Sequence, residues 1–153
     1  MYDPKLLVEL LEKKIHILDG AMGTMIQKEK LSETDFRGEK FKKVKQNLQG
    51  NNDILNISSD NLIYEIHKQY LQAGADIIET NTFNSTRISQ KDYSCEDYSY
   101  ELNYQGGLLA KKAVMEYLND NPDEKRYVAG VLGPTNRTCS MSPDVNNPGF
   151  RNI

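Results

Sequence analysis

The chain has no tryptophan, only two histidines and two cysteines, and no apolar run near the roughly 20 residues needed to span a bilayer. Cys95 and Cys139 lie far apart, with no CxxC pair and no histidine nearby. They therefore read as free thiols rather than a zinc site. His16 precedes an apolar stretch and His67 sits between Ile66 and Lys68, so both read as structural or surface histidines. Charge of one sign is lacking too. Lys and Arg number 19 and Asp and Glu 22, a net charge of -3, which offers no general attraction for nucleic acid or an anionic membrane. The opening MYDPKLLVELLEKK is too acidic and interrupted for a secretory signal, so the cytoplasm is the default expectation. GxGxxG, GxxxxGK[ST] and GxSxG are all absent, which removes support for dinucleotide, P-loop and serine-hydrolase chemistry.

What is present is an alternation of apolar strands and amphipathic helices. Asp3-Pro4 is a good helix start, and Leu7, Leu10 and Leu11 share a face, predicting a helix over 4–14. "IHILDG" reads as a buried strand. Residues 28–45 mix seven basic and four acidic side chains without clear periodicity and read as a solvated connection rather than a phosphate-binding patch. "DILNIS" reads as a second strand over about 53–57. Ser58, Ser59 and Asp60 offer capping oxygens for a helix carrying Leu62, Ile63, Ile66, Tyr70 and Ala73, which Gly74 ends in a left-handed turn. "DIIET" is a third strand. A helix over Tyr98 to Leu118 follows, with Gly106-Gly107 costing it about 1 kcal/mol per glycine unless close packing requires them. "YVAGVLG" is a fourth strand, and a loop rich in proline and asparagine closes the chain. This order predicts a parallel α/β sheet, about four strands with intervening helices.

Ligands of parallel α/β sheets bind at the carboxyl ends of the strands. Here each strand hands over to a polar stretch: "DGAMGT", "SSD", "ETNTFNST" and "GPTNRT". Asp19 at a strand end can accept hydrogen bonds from an ammonium group, and Gly20 leaves the backbone approachable. Thr80 and Asn81 can donate to a carboxylate or accept from an amine. Four such loops at one end point to a binding site.

"ILDGAMGTMIQ", "DFRGE", "GNNDILN", "AGADIIETNTFNST" and "VAGVLGPTNRTCSMSPDVNNPGFRNI" closely resemble the homocysteine-binding domain of the cobalamin-dependent methionine synthases, a branch of the homocysteine S-methyltransferase family. The resemblance runs from about Ile17 to the last residue. It implies a TIM (β/α)8 barrel, with residues 1–153 as the front half of the homocysteine-binding domain. It further implies zinc on the homocysteine sulfur and a methyl group arriving from methylcobalamin. By motif position Asp19 and Gly20 hold the amino-acid end of homocysteine, with Thr80 helping and Asn81 and Thr82 beside it. The family's three zinc-ligand cysteines have no counterpart here, so neither a metal site nor a catalytic residue is expected within this chain. The expected partners are homocysteine, the second half of the barrel, and folate and cobalamin domains. The alternative reading is a non-catalytic half barrel that binds or associates, or has no function.

Overall fold

The computed structural model describes residues 8–9, 11–135, 137, 142 and 144–151. Cys139 lies outside them, as do Leu7 and Leu10 of the helix expected over 4–14. Val8, Glu9 and Leu11 are helical, with Glu12 N–H donating to Val8 O at 3.2 Å.

The segment expected to be a solvated connection is folded. Helix α1, Met22–Lys28, turns Ile26 inward. Helix α2, Glu33–Arg37, begins at a capping box: Asp35 N–H donates to Ser32 Oγ and Ser32 N–H to Asp35 Oδ2. Gly38 ends α2 at φ +50, and a Cβ there would come within 2.8 Å of Ser58 Cβ. Arg37 then acts as a hub. Its guanidinium donates to the carbonyls of Phe41 (3.1 Å), Val44 and Gln46 (2.8 Å) and pairs with Glu33. The coil is wound tightly enough to bury Phe36, Phe41 and Leu48. The physical reason for the difference is that one fork of five donors replaces the backbone partners a helix or sheet would have supplied.

The second expected strand is also corrected. Residues 52–58 form a turn of 3-10 helix, Asn52–Ile54, and then helix α3, Leu55–Ser58. Asp53, Ile54, Leu55 and Asn56 are all buried in succession, which a strand with one solvated face does not do. Ser58 Oγ donates back to Ile54 O at 3.2 Å, as a helical hydroxyl does.

Helix α4, Asp60–Gln72, matches its periodicity, burying Ile63, Ile66 and Leu71, and Gly74 ends it at φ +100. Its N-cap residue Ser59 makes no side-chain cap bond; Asp60 Oδ1 accepts from Asn61 N–H instead. Strand β1, Ile77–Glu79, short helix α5, Arg87–Gln90, helix α6, Ser99–Asp120, and strand β2, Tyr127–Ala129, complete the order. β1 and β2 pair in parallel, Ile77 opposite Tyr127. On the other side of β1, Leu18 forms a single parallel bridge to Ile77. The described sheet is thus two strands and one bridge, laid side by side in chain order, rather than four strands. Helices α4 and α6 cover it, and Ile78 packs with Leu71, Ala110 and Val114. No helix among the described residues is long and apolar enough to cross a membrane.

Candidate functional site

All three parallel segments end at one cleft of about 460 Å³, whose wall includes Asp19, Gly20, Asp53, Glu79, Thr80 and Asn81. Among the described residues that line it there is no lysine, arginine or histidine.

The strand ends are latched by a repeated device. Leu18 bridges Ile77; the next residue, Asp19, donates its N–H to Ile77 O (2.9 Å), and its Oδ2 accepts from Glu79 N–H (3.1 Å). One strand over, Glu79 pairs with Ala129. The next residue, Thr80, donates its N–H to Ala129 O (2.9 Å), and its Oγ1 accepts from Val131 N–H (3.0 Å). A side-chain oxygen one residue beyond the pairing thus takes the amide two residues beyond the partner, both times.

The two latches differ in what they leave over. Thr80 Oγ1 lies 2.7 Å from Thr82 Oγ1, which donates to Val131 O at 2.9 Å, so the Thr80 hydroxyl hydrogen belongs to Thr82. Asp19 Oδ1, by contrast, is buried and has no partner. Burial pushes its carboxyl pKa up to about 6; the Glu79 amide opposes this and the Glu79 charge adds to it.

Asn81 is bound into the wall. Its Nδ2 donates to Asn52 O (2.8 Å) and Asn56 Oδ1 (3.0 Å), and its carbonyl accepts from Asn56 Nδ2 (2.7 Å), leaving the side-chain Oδ1 outside these bonds. Thr82 Cγ2 packs where Gly106 of α6 has no side chain: a Cβ at 106 would stand 2.6 Å from it and 2.8 Å from Asn56 Nδ2. A Cβ at Gly107 would meet nothing within 4 Å. Gly20 is explained the same way. A Cβ there would fall 3.0 Å from the ring of Tyr70, whose hydroxyl donates to Ala21 O at 3.4 Å. The space freed at Gly20 admits Tyr70, while its backbone still lines the cleft.

The five residues singled out in the sequence, Asp19, Gly20, Thr80, Asn81 and Thr82, therefore gather at one end of the sheet, all but Thr82 on the cleft wall. Asp53 was missed. It is 2 % exposed, lines the cleft, and holds the 84–85 loop through Oδ1, which accepts from Asn84 N–H (2.8 Å) and Ser85 Oγ (2.7 Å). The signal for it was a carboxylate followed directly by Ile54 and Leu55, masked by reading that stretch as a strand.

Among the described residues no three His, Cys, Asp or Glu side chains gather to hold a metal ion. Cys95 is fully buried in the apolar cluster with Phe41, Ile63 and Leu102, and burial raises its thiol pKa. The zinc implied by the resemblance does not fit these residues. Both histidines are enclosed: the His16 side chain is 4 % exposed, 3.8 Å from Asp76, and His67 is fully buried with neither ring nitrogen hydrogen-bonded.

The homocysteine S-methyltransferase family model matches residues 16–153. Among solved structures, the metallated form of the homocysteine methyltransferase MmuM from Escherichia coli matches with a TM-score of 0.64 and 28% identity, over 82% of this chain. The oxidized form of the same protein matches with a TM-score of 0.64 and 29% identity. The chain spans 40% and 39% of the length of those two proteins. On the family match, which takes in the cleft and every strand end that builds it, this chain belongs to the homocysteine S-methyltransferase family.

Proposed function

We propose that the cleft binds the amino-acid end of homocysteine, and that the chain is the homocysteine-binding part of a cobalamin-dependent methionine synthase. The observation that carries the reading is Asp19: a strand-end carboxylate with one oxygen latched to the sheet and the other buried without a partner. An ammonium group supplies both the hydrogen bond and the charge that this oxygen lacks. A bound ammonium would also favour the ionised form of a carboxyl that burial pushes up to about 6. Thr80, Thr82 and Asn81 set the wall, and the Gly20 backbone passes beneath the ligand. Phe83, Met22 and Val131 give the cleft apolar surface against which the thiol-bearing chain can lie.

"DFRGE" and "GPTNRT" support the cobalamin-dependent branch, in which the methyl group comes from methylcobalamin and methionine is the product. Because the implied zinc does not fit the described residues, no chemical step is assigned to it here. Methyl transfer belongs to the chain joined with the rest of the barrel and with folate and cobalamin domains.

Calorimetric titration of the chain with L-homocysteine tests the binding claim. Asp19→Asn is expected to weaken binding at least about tenfold, the worth of a charge-assisted hydrogen bond. The desamino analogue 4-mercaptobutanoate is expected to bind as poorly to the native chain. Equal affinity for homocysteine and the desamino analogue would sink the reading.

A further inference from the structure

Asp53 is buried more completely than its visible task requires. Both of its loop bonds, from Asn84 N–H and Ser85 Oγ, fall on Oδ1; among the described residues no hydrogen bond from another residue is made to Oδ2. An asparagine presents the same Oδ1 acceptor without a charge. A carboxylate that is 2 % exposed, with no cation beside it among the described residues, carries a desolvation cost that loop anchoring does not explain. Burial raises its pKa, opposed by the Ser85 hydroxyl, the Asn84 amide and its own backbone amide. The residue borders the same cleft as Asp19 and Glu79, and among the described lining residues no basic side chain neutralises any of the three.

We propose that Asp53 is a second substrate-contacting carboxylate: Oδ1 holds the 84–85 loop while Oδ2 accepts from the ammonium-bearing end of the ligand. The cleft then takes α-amino acids with an uncharged side chain and rejects those with an acidic one. This rests on the cleft being the amino-acid site and adds to Asp19 a cleft residue outside the strand-end set.

The test is calorimetry with L-homocysteine and with L-homocysteate, which adds a sulfonate charge, on the native chain and on Asp53→Asn, Asp19→Asn and Ser85→Ala. Asp53→Asn is expected to lose at least about tenfold in homocysteine affinity. It is also expected to narrow the preference for homocysteine over homocysteate, while melting within a few degrees of the native chain. Ser85→Ala, which removes one loop bond and leaves Oδ2 untouched, is expected to bind within about twofold of native, because a loop-only effect acts through that bond. Native affinity in Asp53→Asn would overturn the proposal, as would equal losses in Asp53→Asn and Ser85→Ala. If Asp19→Asn loses binding and Asp53→Asn does not, the amino-acid site stands and this inference fails. If the native chain binds no homocysteine, the site reading fails first and takes the inference with it.

Discussion

At the scale of single residues, two buried titratable groups act in opposite directions on stability. Asp19 titrates near 6 in the folded protein against an ordinary 3.8, chiefly through burial. Between those values the folded state keeps a proton that the unfolded chain has released. Its contribution is therefore full at low pH and is lost as pH rises through about 6. Burial lowers His67 to about 4 from 6.5, so its contribution is intact above 6.5 and is lost as pH falls through about 4. The full swing for His67 is about 3 kcal/mol. The two slopes oppose each other across the same interval, and the native chain is expected to show a shallow stability profile there. Asp19→Asn should uncover the acid decline and melt higher than native at pH 7; His67→Leu should uncover the opposite slope. Urea unfolding at a series of pH values checks both, and parallel profiles for all three proteins would contradict the assignment. If Asp19 holds the ammonium as proposed, function and stability pull apart there: the ionised form that would bind the ligand is the one that costs the fold.

At the scale of elements, the paired glycines of α6 separate two effects that helix propensity alone treats as one. Gly107→Ala meets open space and is expected to stabilise by up to about 1 kcal/mol. Gly106→Ala drives a methyl group into Thr82 and Asn56 and is expected to destabilise by about 1–3 kcal/mol despite the same propensity gain. Urea midpoints moving in the same direction would show that α6 does not press on the strand-end loop as described. The contrast also shows what could be read in advance. Helices α4 and α6 were legible because Ile63, Ile66 and Leu71, and Leu102, Gly106 and Ala113, repeat at helical spacing. "DILNIS" was not, because a short apolar run buried on all sides has no period to distinguish strand from helix. The 28–45 stretch was opaque for another reason: its order depends on Arg37 collecting three carbonyls, and no local pattern announces that. Asp19 could be placed from its strand end. Asp53 could not, since only the tertiary fold brings Asn84 and Ser85 to it.

At the scale of the whole molecule, the two ends of the sheet differ in charge. Among the described residues the carboxyl end is lined by carboxylates without a basic partner, whereas the amino end holds Asp76 among Lys14 (2.9 Å), Arg126 (3.7 Å) and His16. Balanced charge at one end serves cohesion, and uncompensated charge at the other is available to a ligand. Apolar surface is also left uncovered. Along α6, Tyr100, Tyr104, Leu108 and Met115 are exposed on one stripe, the two tyrosine rings stacked at 6.1 Å, and Val128 and Leu132 are exposed on and beyond β2. A stripe and a strand edge of this kind favour association. Light scattering is expected to show a mass that rises with protein concentration, and Tyr104→Glu with Leu132→Glu should suppress the rise. A constant monomer mass in the native chain would contradict it.

The repeated latch bears on how such a sheet can be cut and recombined. Asp19 serves an amide in the following strand, and Thr80 serves one just past the end of the strand after that. Asp19 and Thr80 therefore each carry an oxygen that serves the following segment at a fixed stagger. A strand–helix unit moved to a new neighbour leaves a part-buried donor without its acceptor unless the incoming strand reproduces that stagger. The natural unit of exchange is consequently the seam between two strands, not the strand and its helix.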